Sequence, residues 1–138
     1  MALETGFFVF CMSFFCVLRV GLHSGLIIKE SIMDENIFDI VEIADVEIWK
    51  TDNVPKYWTA VYFKSDYEQF PVKLAESLYH SSKNGMVWYV DFKDDIYKYI
   101  VLKDNVLRYH MGDKEGKNIV YEKCIELGVK CEQLDWTE

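Results

Sequence analysis

A chain of 138 residues has room for one domain. Its composition is 51% hydrophobic and 16% aromatic with two prolines, which excludes an intrinsically disordered chain. The net charge is −8, and the bases stand singly among acids rather than in a patch. General nucleic-acid binding, which needs clustered Lys and Arg, is therefore disfavoured.

Residues 1–32 carry two acids, Glu4 and Glu30, and two bases, Arg19 and Lys29, so the whole negative charge lies beyond them. The run GFFVFCMSFFCVL, followed by Arg19 and VGLHSGLII, approaches the length of a membrane helix over residues 6–28. Arg19 and His23 near its middle are costly in lipid. A secretory signal is disfavoured too, because the leading MALET has no base and no small-x-small cleavage site follows. Lys29-Glu30 can be encoded by purine-rich codons spaced like a ribosome-binding site before Met33. The expectation is thus a dispensable extension over 1–32 and a domain over 33–138 that starts at Met33. A membrane anchor through residues 6–28 is the alternative.

Within the domain, FDIVEIADVEIW (38–49) alternates apolar and acidic residues, with a phase break near Glu42 and Ile43. Alternation predicts a half-buried strand, and the break predicts a bulge or two shorter strands. TDNVPK (51–56) is turn material, and YWTAVYFK (57–64) predicts the partner strand of a hairpin. Phe70, Leu74 and Leu78 recur at helical spacing, with Pro71 acceptable in a first turn and SSKNG (81–85) as the stop.

Three strands follow: MVWYVDF (86–92), IYKYIVL (96–102) and VLRYHM (106–111), with turns at Asp94-Asp95 and Asp104-Asn105. Asp113 is a candidate N-cap for a second helix carrying Val120, Cys124 and Leu127, and Gly128 stands at its C-terminal cap. Val129 to Leu134 is expected as a last edge strand. The order β-β-α-β-β-β-α-(β) gives an α+β fold: an antiparallel sheet of about five strands with two helices on one face.

Pairing the three-stranded meander through its turns puts Trp88, Val90, Phe92, Tyr97, Tyr99, Val101, Arg108 and His110 on one face. Were that face open, Trp88, Phe92, Tyr97, Tyr99, Arg108 and His110 would form a partner-binding surface, since aromatics and arginine are enriched where proteins meet. Burial of Trp88, Val90 and Phe92 beneath the first helix is the competing expectation.

Asp91, Asp94, Asp95 and His110, with Asp104, form the one group suited to a hard metal such as magnesium, and Asp91-Phe92-Lys93 has the Asp-x-Lys form of some nuclease cores. Turn formation explains Asp94, Asp95 and Asp104 equally well. GDKEGK (112–117) lacks the Lys-Ser/Thr ending of a phosphate loop, and no glycine-flanked nucleophile surrounds Ser77, Ser81 or Ser82. The cysteines, at positions 11, 16, 124 and 131, have no zinc or redox spacing and read as reduced thiols.

The residues together lead to a small, acidic, cytoplasmic protein-binding or regulatory module without cofactor, in the manner of an immunity protein or inhibitor. Its expected partner is a basic protein. The alternatives are a metal-dependent hydrolase or nuclease built on Asp91 and neighbouring acids, and a membrane-tethered domain.

Overall fold

The computed structural model describes residues 22–138. They form an α+β fold on a six-stranded antiparallel sheet: β1 (His23–Ile28), β2 (Glu42–Lys50), β3 (Tyr57–Ser65), β4 (Val90–Lys93), β5 (Tyr97–Leu102) and β6 (Asn105–His110). Helix α1 (Phe70–Ser77) connects β3 to β4, and α2 (Lys114–Glu126) follows β6. The order across the sheet is β2-β3-β1-β4-β5-β6.

The main departure from expectation is β1, which lies upstream of the boundary drawn at Met33. Its six residues pair with β3 from His23↔Ser65 to Ile28↔Ala60, and Ser24 and Gly25 pair with Lys93 and Phe92 of β4. It is the internal strand that joins the β2–β3 hairpin to the β4–β5–β6 meander. Ile27 is fully buried, as nearly are His23, Ser31 and Ile32. Residues 23–32 therefore belong to the domain.

The difference has a physical cause. An internal strand that carries apolar residues on its half-buried face too, here Leu26 and Ile28 beside buried Ile27, lacks polar alternation and reads as a continuous apolar run. HSGLII thus merged with the apolar residues before it. The C-terminal part of the supposed membrane helix 6–28 is this strand. Residues 6–21 of that helix, with Cys11 and Cys16, lie outside the described residues. Among the described residues no helix is long and apolar enough to cross a membrane.

Close approach fixes the one glycine of β1. A Cβ on Gly25 would stand 2.6 Å from Cβ of Phe92 and 3.1 Å from the Asp91 carbonyl oxygen. No residue larger than glycine fits there without moving β4.

α1 uses the expected stripe: Phe70, Leu74 and Leu78 are fully buried, and Pro71 lies in the first turn. It packs on Ile27, Phe63, Val90, Phe92, Tyr99 and Val101. α2 buries Val120 and Cys124 against Ile100, Leu102 and Tyr109, the alternate residues of the same strands. Among the described residues each face of the sheet thus carries one helix, where element order alone had suggested both on one side. Asp113 caps α2 as expected, its carboxylate accepting from the Gly116 N–H at 3.1 Å. Gly128 follows at φ +101°.

The meander keeps its expected faces, with Val90↔Val101, Phe92↔Tyr99, Tyr99↔Arg108 and Tyr97↔His110 in register. The β5–β6 turn sits one residue earlier than expected, with Asp104 left-handed at φ 60°. Val129 to Leu134 does not form a strand. Cys131–Gln133 is a 3-10 turn, closed by the Lys130 N–H donating to the Gln133 side chain at 3.2 Å. From there Trp136 folds back into the α2-side core and donates to the Tyr109 hydroxyl at 3.0 Å.

Candidate functional site

The residues expected to form a partner surface separate once folded. Phe92 and Tyr99 lie in the core beneath α1, 1% and 6% exposed, with their rings stacked at 4.9 Å. Trp88 is 5% exposed against Trp58. A partner cannot reach these three side chains without opening the core, so the aromatic centre placed at Trp88 and Tyr99 is corrected. Large rings in a register beneath an amphipathic helix are what a core needs.

Tyr97, Arg108 and His110 remain on an accessible flank. The Arg108 guanidinium lies 4.0 Å above the Tyr97 ring and donates to the Tyr99 hydroxyl at 3.4 Å. His110 meets Tyr97 at 5.1 Å.

The acids proposed for a metal also diverge. Asp91 faces the α2 side and pairs with Lys98 at 3.0 Å. Asp94 lies in the β4–β5 turn, accepting from the N–H groups of Ile96 and Tyr97 at 2.8 and 2.7 Å and from the Tyr99 hydroxyl at 3.2 Å. Asp95 is exposed in that turn and Asp104 in the next. Among the described residues no three His, Cys, Asp or Glu side chains converge where a metal ion could be shared. The carboxylates are committed to turns and to one ion pair, which is the competing explanation given above.

Among the described residues, nothing covers the α2 side of the β2–β3–β1 half of the sheet. Every residue of β2 except Trp49 is exposed. The register sorts its side chains into two sets. Trp49 pairs with Trp58, Glu47 with Ala60 and Asp45 with Tyr62, which puts them on the α2 side. Ile48 pairs with Thr59 and Val46 with Val61, on the α1 side. A shift between Ile43 and Asp45 marks the bulge that the phase break had announced.

α2 packs on β6 and does not extend over the first set. On that side Trp49, Trp58 and Tyr62 stay half-buried, beside Leu26 and Ile28 of β1. Glu47 ties the surface together: one carboxylate oxygen accepts from the Trp49 indole at 2.9 Å and from the Tyr62 hydroxyl at 3.2 Å. Partial desolvation, then that carboxylate, raise the Tyr62 pKa.

At the border with the C-terminal segment, a cavity of about 400 Å³ is lined by Leu26, Ile28, Trp49, Trp58, Trp88 and Tyr89 among others. The Tyr89 hydroxyl donates to the Gln133 carbonyl and is held protonated far above its usual pKa by burial and by the Asp135 carboxylate. The Trp58 indole N–H is buried with no acceptor among the described residues. The surface is therefore aromatic at its centre and acidic at its edge. It can bind apolar and cationic groups, and it carries no nucleophile with an adjacent base.

Trp49, Trp58, Tyr62 and Glu47 were visible in the sequence as strand residues, but not as a site. The signal was present in FDIVEIADVEIW, where Asp45, Glu47 and Trp49 recur with the period of one strand face. No protein-family model, curated protein or solved structure matches the chain.

Proposed function

We propose that the protein is an acidic binding module that holds a basic protein partner on the open β2–β3–β1 half of its sheet. The observation that carries this reading is the position of half-buried Trp49, Trp58 and Tyr62 among Asp45 and Glu47, on a stretch of sheet that no helix of the described residues covers. Net charge of −8 steers a cationic partner toward the module. The aromatic centre supplies the attraction that persists in salt, as flat rings with a polar tip do at protein interfaces. Function follows by occlusion, as for an immunity protein or an inhibitor, and needs no cofactor. We place it in the cytoplasm, where Cys124 and Cys131 would remain free thiols.

The test is affinity capture from the source cells with the wild-type chain and with the charge reversal Asp45→Lys/Glu47→Lys, followed by binding of the purified captured protein. A basic protein retained by the wild type, and lost by at least tenfold with the reversal, is the expected result. A captured protein that binds both forms equally, or that is itself acidic, overturns the reading.

A further inference from the structure

β2 is a nine-residue edge strand, hydrogen-bonded to β3 on one side and, among the described residues, to nothing on the other. Its ladder defines which backbone groups are free. Beyond its end the Thr51 N–H donates to the Lys56 carbonyl at 2.7 Å, and the Thr59 N–H is turned away to Glu30 at 2.8 Å. Alternation along an antiparallel pair then directs the N–H and C=O of Val46, Ile48 and Lys50 outward, away from β3.

The side chains beside this edge alternate as well. Val46 and Ile48 are 50% and 66% exposed on the α1 side, and Asp45 and Glu47 are exposed on the other. One of the outward donors is already occupied: the Val46 N–H donates to the carboxylate of its own neighbour, Asp45, at 2.9 Å.

We propose that β2 accepts a seventh strand, an extended segment of the basic partner whose cationic side chains face Asp45 and Glu47 and whose apolar side chains face Val46 and Ile48. The proposal rests on the basic-partner reading above and specifies how that partner docks. An incoming carbonyl takes over the Val46 N–H, which releases the Asp45 carboxylate for a cation on the added strand.

Charge decides against a second copy of this chain as occupant. Antiparallel self-pairing about Val46 would set Asp45 opposite Glu47 of the other copy, twice. Like charges directly opposed across strands destabilise the pair, whereas opposite charges stabilise it. An alternating cationic and apolar strand satisfies both faces at once, and main-chain hydrogen bonds supply affinity independent of side-chain identity.

The test uses the full chain and two labelled nine-residue peptides of identical composition, one alternating Lys and Val, the other with its lysines and valines in separate blocks. Fluorescence anisotropy is expected to show the alternating peptide bound at least tenfold more tightly. Ile48→Pro removes an outward donor without touching the β2–β3 ladder, a placement edge strands tolerate. It should weaken the alternating peptide at least tenfold while the circular-dichroism melt is retained. Ile48→Lys keeps every backbone donor and should also weaken it, through the lost apolar contact and the added repulsion; this variant carries the test if Ile48→Pro fails to fold.

Equal binding of the two peptides, reduced by Asp45→Lys/Glu47→Lys but untouched by Ile48→Pro, overturns strand addition and leaves the basic-partner reading standing. Absence of binding by either peptide also overturns strand addition, and the capture experiment then judges the basic-partner reading separately. A wild-type dimer by light scattering that Ile48→Pro dissolves makes a second copy the occupant and overturns the proposal.

Discussion

Starting the chain at Met33 removes β1 and divides the sheet into a β2–β3 hairpin and a β4–β5–β6 meander that no longer share a strand. The loss can be sized from burial. Ile27 is 0% and Ile32 6% exposed, and deleting both forfeits about 3–6 kcal/mol at the usual worth of a buried Ile. The paired backbone between His23 and Ile28 adds about 0.5–1.5 kcal/mol net for each hydrogen bond lost. A small domain has about 5–15 kcal/mol in total, and an isolated hairpin is marginal in water.

The fragment 33–138 should therefore show no cooperative transition in a urea or thermal melt followed by circular dichroism. A synthetic peptide spanning residues 22–32, added in excess, should restore part of the transition in a concentration-dependent way. A fragment that melts cooperatively at the temperature of the whole chain would refute the assignment of β1 as the central strand.

Three further expectations follow from single contacts. Gly25→Val places a side chain 2.6 Å from Phe92 Cβ and should cost about 1–3 kcal/mol of overpacking in a urea melt; a loss below about 0.5 kcal/mol, the usual scatter of surface substitutions, would mean β1 and β4 are farther apart. Asp91→Ala leaves the Lys98 ammonium, whose side chain is 7% exposed, without its partner at 3.0 Å. The expected loss is about 1–3 kcal/mol, reduced from the fully buried case because Asp91 is itself a third exposed, and Asp91→Leu/Lys98→Met should recover most of it.

His23 sits 3% exposed between the rings of Phe70, Phe92 and Tyr99, with no partner for Nδ1 among the described residues. Burial lowers its pKa below 6.5, against the opposing pull of Asp94 and the Ser65 backbone. The unfolded chain then takes up this proton first. The stability associated with neutral His23 is complete above pH 6.5 and is lost as pH falls through the folded value. A ¹H NMR titration midpoint at or above 6.5 would contradict this.

Elements with a polar face were legible in the sequence, and elements without one were not. The α1 stripe, the Asp113 cap, the meander faces and the bulge in β2 all announced themselves through periodicity or turn chemistry. β1 did not, because Leu26 and Ile28 make its half-buried face apolar as well and its apolar letters ran into those upstream. The site was misplaced for a related reason. Composition identifies aromatic residues but not which of them a helix covers. Phe92 and Tyr99 lie where α1 crosses the sheet, whereas Trp49, Trp58 and Tyr62 lie beyond the reach of α2.

The same edge strand can be explained as defence, and the difference lies in its apolar side. Acids along an edge and a bulge are devices that keep sheets from joining, and a carboxylate that occupies an outward edge donor acts the same way. Asp45, the register shift at Ala44 and the Asp45 bond to Val46 N–H fit that role. Defence alone leaves no reason for Ile43, Val46 and Ile48 to stand at least half exposed in a row on the opposite face. An edge that repels its own copies through Asp45 and Glu47, yet keeps an apolar row beside free backbone donors, discriminates among incoming strands by charge rather than refusing them all.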